Sequence, residues 1–406
     1  MRPPSLRIDA NRVSLDPRDL AFVQDPYPAY DAIRAACPAF FWEEYGHWCL
    51  SRHDQVMALF KDRRFGRQIL HVMSREALGW PEPEPHLAPW TANERHSLLE
   101  LEPPDHTRLR TLVNRAFVSR QVERLRPRIE RLAHELIDGF EAQRRVDLIE
   151  AYATPIPVVV IAELLGVPAA RSADLLAWSH AMVAMYQFGR TRAVEDEAVR
   201  ATVAFADFLR GCIEERRASP AEDLIGTLIA ASDAGDRLSP DELVSTCILI
   251  LNAGHEATVH GIGNAVKAIF DHGVDVAAAD PALLAEEALR FDAPLHMFTR
   301  HALEDCVVFG VKLAKGDRIG LLLGAANRDG DRFPEPHRFD PARAPNPHAS
   351  FGAGIHFCVG APLARLEMEV ALPILFARLP GLRLEGRPRY RDAYHFHGLE
   401  RLDLSW

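Results

Sequence analysis

Six cysteines are spread along the 406 residues, and one of them, Cys358, sits where a sulfur could do chemistry. It lies near the end of the glycine-rich run Phe351-Gly352-Ala353-Gly354-Ile355-His356-Phe357-Cys358-Val359-Gly360 and just ahead of a helical stretch, Ala361-Pro362-Leu363-Ala364-Arg365-Leu366-Glu367. The free amides and the positive dipole end of a helix start stabilise an anion, so this position is expected to lower the thiol pKa and steady a thiolate. Glycines let backbone approach a flat ligand closely and turn amides toward the sulfur. Such a thiolate can ligate a metal. It can also be a nucleophile where a histidine serves as its base, and a lone free cysteine often does no more than fill space. No CxxC pair occurs, so neither a disulfide framework nor a structural zinc site is indicated, and a reducing compartment fits best.

Three further groups combine charge with helical spacing. Glu287 and Arg290, in Glu287-Ala288-Leu289-Arg290, are an ordinary solvated helix pair unless something buries them. His106 and Arg110, in His106-Thr107-Arg108-Leu109-Arg110, share one helical face. Glu256 interrupts a stretch of small residues, Leu251-Asn252-Ala253-Gly254-His255-Glu256-Ala257-Thr258.

The elements that must hold these groups are mostly helices. Ser239-Pro240-Asp241-Glu242 reads as a capping box with proline at the first helical position. It opens an apolar pattern through Val244, Ile248, Leu251, Ile262, Val266 and Ile269, which predicts one helix of about 45 Å at about 1.5 Å per residue, carrying Glu256. From Asp105 to about Asp271 the text is helical in period, broken at Pro155, Pro157, Gly166-Val167-Pro168 and Ser219-Pro220. Strand-like pieces, Ala39–Trp42 and Trp48–Ser51, form a small sheet near the N-terminus, and Val307–Phe309 and Arg318–Leu323 belong to a β-rich part beyond Phe291. Between His71 and Pro104, closely spaced prolines rule out a continuous helix, and the two tryptophans Trp80 and Trp90 suit either a lid or a packed-down surface loop. With no repeat, linker or low-complexity tract, residues 1–406 read as a single domain, mainly α with a smaller β-rich part.

Composition narrows the partners. The 47 Lys and Arg against 57 Asp and Glu give a net charge of −10, which argues against a general nucleic-acid binder. The polar, proline-bearing Met1–Asp19 lacks the apolar run of a signal peptide, and stretches such as Val158–Ala162 and Ile248–Leu251 are far too short to span a bilayer. The expectation is a cytoplasmic protein without a membrane segment.

The run around Cys358, with Phe351, Gly352, Gly354, His356, Cys358 and Gly360 in register, closely resembles the haem-binding loop of the cytochrome P450 family. Other segments match that family in order from about Asp25 to Trp406. The resemblance implies the cytochrome P450 fold, with the long helix lying over a haem b (iron protoporphyrin IX) and Cys358 as the axial ligand to its iron. Thiolate ligation is the electronic property that favours cleavage of dioxygen. It implies further that His106, Arg110, Arg300 and His356 hold the haem propionates, where arginine's fork suits a carboxylate. Glu287, Arg290 and Arg338, the last in Pro336-His337-Arg338-Phe339, would form a buried ion network behind the haem. Ala253 and Gly254 would leave room over the iron, and Met182, Met185, Tyr186, Phe188, Leu295, Met297, Phe298 and Phe396 fall in regions that line the substrate cavity of relatives. His296, His395 and His397 stand near that cavity and match no motif.

In one place the sequence departs from the family. The usual threonine directly after the acidic residue is Ala257, and a hydroxyl comes only at Thr258, turned by about 100° along the helix. Proton supply then falls to Glu256 and ordered water, with a hydroxyl on the substrate as a further source. The resemblance implies a small apolar organic substrate, dioxygen, and electrons from a two-iron, two-sulfur ferredoxin and its reductase, with Arg115 and Arg365 offered to an acidic donor on the Cys358 face. Ala257 also leaves open a peroxide-driven variant, or a haem or ligand-binding protein without turnover.

Overall fold

The computed structural model describes residues 4–233 and 238–406. One seven-stranded sheet joins the two ends of the chain. Its order is Arg7–Asp9, Arg12–Ser14, Ala39–Trp42, His47–Leu50, Arg318–Leu322, Met297–Ala302 and Phe65–Gly66. Ala39–Trp42 and His47–Leu50 form an antiparallel hairpin across Gly46, whose φ of 67° suits the turn. Arg318–Leu322 then pairs parallel to His47–Leu50, with Ile319 opposite Trp48, and antiparallel to Met297–Ala302, with Ile319 opposite Arg300. The small N-terminal sheet and the later β-rich part expected from sequence are thus one sheet. Local alternation marks each strand, but the partner of a strand about 270 residues away is set by tertiary packing. Val307–Phe309 was close to a real hairpin strand, Cys306–Val308, which pairs with Val311–Leu313.

The helical body is built on Pro240–His272. Ser239 accepts from the Glu242 amide while Glu242 reaches back to the Ser239 amide, and Gly273 ends the helix in the left-handed region. Both faces of this helix are buried, so it is apolar nearly all round and runs through the core. Pro155–Leu165, Arg192–Ala218, Pro281–Phe291 and Ala361–Arg378 pack against it. The proline-rich segment from 71 to 104 contains one short helix, Ala88–Glu94. Pro89 sits in its first turn, where a missing N–H costs no bond. No helix of the described residues is long and apolar enough to cross a membrane.

Candidate active site

Cys358 is placed by its glycine loop. Its amide donates to Phe351 O at 3.0 Å, closing the loop. Gly352 and Gly354 adopt φ of 64° and 73°, and a Cβ on Gly354 would come 2.2 Å from Phe60 O, so this backbone lies against the helix His53–Lys61 in a way only glycine permits. Gly360 precedes the helix Ala361–Arg378, and the amides of Gly360 and Ala361 point at the sulfur, as expected. The expected low thiol pKa is not found. Burial pushes the Cys358 thiol up and outweighs those amides and Arg110, although the residue lines the cavity and keeps surface open to it. A cation opposite the sulfur would favour its anionic form. Among the described residues no histidine bonds Sγ, which removes the nucleophile-and-base alternative.

Beside the sulfur stands a rim of two imidazoles and two guanidinium groups. His106 and His356 lie with ring centroids 4.3 Å apart. Both His106 nitrogens are buried without a hydrogen bond, and burial, then the neighbouring charges of His356 and Arg110, lowers its pKa to about 4. Arg110 Nη2 donates to Phe357 O at 2.6 Å, tying the helix Asp105–Ala116 to the cysteine loop. Among the described residues Arg300, 4% exposed, donates only to Thr299 O and lies over the face of Phe60, and burial followed by Arg67 lowers its pKa to about 9. His356 Nε2 is buried 3.4 Å from Glu102 Oε1 without a proper hydrogen bond. A buried arginine without a carboxylate partner, beside imidazoles with unused donors, is a cradle lacking its anion. Two propionates at the edge of a haem fit it.

Behind the loop, Glu287 and Arg290 are both wholly buried and joined by two bonds of 2.7 Å. The second arginine is not the one the resemblance indicated. Arg343 Nε lies 3.1 and 3.2 Å from the Glu287 oxygens, with Asn346 Nδ2 at 3.1 Å and the Asp340 amide at 2.8 Å. Arg338 instead turns outward, 61% exposed, to Glu335, and only its carbonyl joins the network, accepting from Arg290 at 3.1 Å. The loop from 334 to 343 curls around the guanidinium of Arg343, a path that local sequence does not reveal.

On the long helix, Ala253, Gly254, Glu256, Ala257 and Thr258 all line the cavity. Gly254 leaves its room elsewhere than expected: a Cβ there would strike Ile161 at 2.9 Å, so the small residue lets the helix Pro155–Leu165 pack closely, and Ala253 is the one turned to the cavity. Thr258 Oγ1 is bonded back to Gly254 O at 3.4 Å. Glu256 is buried among His180 Nε2 at 3.2 Å, His260 Nε2 at 3.3 Å, His255 Nε2 at 3.6 Å and Arg391 Nη1 at 3.7 Å. Burial works against its charge, yet these neighbours hold the carboxyl well below its usual range. His260, one helical turn on, was within reach of sequence reasoning; His180 and Arg391 come from distant elements.

Cys358 and Glu256 border the same cavity of about 1020 Å³. Leu295, Met297, Phe298, Phe396 and Tyr186 line it as the resemblance implied. Met182 and Met185 are instead core, and Phe188 meets Tyr45 edge-on with centroids 5.0 Å apart. Sequence gave no sign of the charges in this wall: Arg67 paired with Glu100, and Glu94, which accepts from Tyr186 Oη at 3.0 Å and is raised to about 7 by burial and by Glu100. His296 and His397, without a role from sequence, are buried around Asp292, with His397 Nε2 3.3 Å from Oδ1. Arg365, expected to meet a redox partner, is bound to Glu286 at 2.5 Å over the face of Phe351, and Arg115 lies at the surface.

Known proteins agree with this arrangement. The family model "Cytochrome P450" matches residues 284–380. The chain is 39% identical over 403 residues to cytochrome P450 107B1 of Saccharopolyspora erythraea, covering 95% of this chain and 96% of that protein. It is 39% identical over 396 residues to the vitamin D(3) 25-hydroxylase of Pseudonocardia autotrophica, covering 95% and 94%. The structure of P450BioI in complex with a hexadec-9Z-enoic acid ligated acyl carrier protein superimposes with a TM-score of 0.88 at 33% identity, over 95% of this chain and 99% of that one. Epothilone B-bound P450epoK gives a TM-score of 0.88 at 31% identity, over 96% and 99%. The chain belongs to the cytochrome P450 family, and it is accordingly a haem b monooxygenase.

Proposed function

We propose that this cytochrome P450 oxygenates a small, largely apolar organic molecule held between Cys358 and Glu256, in a single domain spanning residues 1–406. The observation that supports this most is one mainly apolar cavity bordered by Cys358, by Arg110, Arg300 and His356 of the rim, and by the helix stretch Ala253–Thr258. In this reading Cys358 Sγ is the ligand to iron, His106, Arg110, Arg300 and His356 hold the propionates, and Phe351 and Gly360 shape the loop around the sulfur. The haem, when bound, supplies the activation of dioxygen. Ala253 leaves room beside it, and the apolar wall from Leu295 to Phe298 orients the substrate and keeps out bulk water.

Proton handling falls to Glu256. His180 reaches solvent and its Nε2 donates to Glu256 Oε2, so a proton can pass from the surface to the carboxylate and on toward the cavity. Thr258 does not substitute for the hydroxyl missing at Ala257, since its own hydroxyl proton is directed at the Gly254 carbonyl. Electrons come from a two-iron, two-sulfur ferredoxin and its reductase, with Arg115 as the cation offered to that donor; reduction that is equally fast and equally salt-dependent in Arg115→Ala removes this contact.

The test is a panel of apolar compounds titrated against the ferric protein, read as a shift of the haem absorption band, followed by turnover with a ferredoxin system. A compound that shifts the band and is converted with electrons consumed in step supports the reading. Absence of product from every band-shifting compound overturns it. Ala257 favours a second reading in which peroxide replaces dioxygen and reductant, and product formed with hydrogen peroxide but not with ferredoxin selects that one.

A further inference from the structure

His180, on the helix Ser172–Val183, and His255, on the long helix, turn Nε2 toward the same oxygen of Glu256, at 3.2 and 3.6 Å. The His255 ring has its tautomer fixed. Nδ1 lies 2.8 Å from Leu251 O, and a carbonyl can only accept, so Nδ1 carries the proton and Nε2 of the neutral ring presents a lone pair. That Nε2 is buried, 3% exposed as a residue, and makes no hydrogen bond. It faces a carboxylate oxygen at a separation too long for a hydrogen bond, so two acceptors meet there, and an ion between them would displace the proton that His180 Nε2 brings to the same oxygen. A backbone carbonyl holding Nδ1–H while Nε2 points at a carboxylate is the arrangement that orients a metal-binding imidazole.

We propose that His180 Nε2, His255 Nε2 and Glu256 Oε2 form a site for a divalent transition-metal ion, with two nitrogen ligands and one oxygen ligand. The three ligand atoms lie within 4.8 Å of one another. Tetrahedral zinc with bonds of about 2.0–2.2 Å needs ligand-to-ligand edges of roughly 3.3–3.5 Å, and the two edges to Glu256 already bracket that range. The donor set, imidazole and carboxylate, suits zinc, copper or nickel and leaves a coordination position open toward the cavity. The other carboxylate oxygen, Oε1, faces His260 Nε2 at 3.3 Å and Arg391 Nη1 at 3.7 Å, which steadies the group without occupying Oε2. His180, 42% exposed, gives the ion a route from solvent.

A second histidine and carboxylate group, Asp292, His296 and His397, is closed to this use. Both Asp292 oxygens already accept from tyrosines, Tyr27 and Tyr390, and the whole group is buried. An ion at Glu256 would take the carboxylate out of proton exchange, so the site places a metal brake on the proton route proposed above.

The test uses the haem-loaded protein, stripped with a chelator, equilibrated with zinc chloride and dialysed. Zinc is counted against haem iron, and a zinc-soaked crystal is read by anomalous scattering at the zinc edge. One zinc per iron, located at Glu256 Oε2, is expected, with affinity reduced by about 10-fold or more in His180→Ala, whose exposed side chain can be removed without disturbing the core, and likewise in His255→Gln. His337→Ala, a surface histidine paired with Asp31, leaves the stoichiometry unchanged. No retained zinc, retention indifferent to both substitutions, or an anomalous peak at Asp292 overturns the site. A protein that binds no zinc yet shows normal coupling of electrons to product sinks the metal site and leaves the proton route standing.

Discussion

Exchanging the roles of two arginines gives the sharpest test of this structure. Arg343→Ala removes the two contacts of 3.1 and 3.2 Å to Glu287, a carboxylate with no exposure. Glu287 keeps Arg290, Asn346 and the Asp340 amide, so its charge is not stranded. The carbonyls of Pro334 and Glu335, which Arg343 also serves, sit on exposed residues where water replaces the donor cheaply. The loss is therefore one buried charge-assisted interaction, about 3 kcal/mol, below the full cost of breaking an isolated buried pair. At about 2.1 cal/mol/K per residue, a chain this long unfolds with an entropy near 0.85 kcal/mol/K, so the midpoint falls by about 3–4 °C. Arg338→Ala removes only an exposed pair with Glu335 at 3.2 Å and costs at most about 0.5 kcal/mol, or well under 1 °C. The assay is thermal loss of the haem band in the two variants and the parent at one scan rate. Equal midpoints for the two variants, or a larger drop for Arg338→Ala, would refute the assignment of Arg343 to the network.

Proton supply predicts that Glu256→Gln raises the fraction of electrons lost to hydrogen peroxide while Ala257→Thr lowers it, measured as product per NADH consumed with a native substrate; unchanged ratios in both variants would sink the role of Glu256. Gly354→Ala forces a Cβ to 2.2 Å from Phe60 O at a φ of 73° and is expected to abolish haem incorporation, whereas Gly273→Ala, with φ 62° and nothing within 4 Å, costs only about 1–2 kcal/mol and keeps full haem; the haem-to-protein absorbance ratio separates them. Glu94 is raised from 4.5 to about 7, so the folded state retains a proton that the unfolded chain releases. Its contribution is complete below pH 4.5 and is lost as pH rises toward and through 7, by up to about 3 kcal/mol, so Glu94→Gln should flatten the decline of the unfolding midpoint over that window; an identical slope in the variant would contradict it.

The parts of the site that sequence disclosed are those whose function is written into consecutive residues. The loop from Phe351 to Gly360 must turn tightly twice and approach Phe60 closely, and the glycines that allow it are a local necessity. The long helix is legible for the same reason, because its cap and its apolar period lie within one continuous stretch. What stayed hidden depends on which distant segment arrives. Arg338 and Arg343 look alike as residues, and only the path of the loop from 334 to 343 decides which guanidinium goes inward. The same holds for the thiol. Position at a helix start argues for a lowered pKa, yet desolvation of the sulfur by the surrounding chain outweighs it, so the sulfur's charge is a property of the assembled site and not of the motif.

Ala257 shows how the two kinds of information combine. The sequence shows that a hydroxyl is missing beside Glu256 and offers Thr258 as a neighbour, while helix geometry turns that neighbour away. The structure adds where the hydroxyl goes, to the Gly254 carbonyl, and what surrounds the acid in its place: three imidazoles and a guanidinium drawn from three separate stretches of chain. A buried carboxylate facing His180, His260 and Arg391 stays ionised without the alcohol. In the proposed proton route the groups that stand in for the usual threonine are therefore gathered by folding around the residue that precedes it, with His180 alone among the three histidines open to solvent.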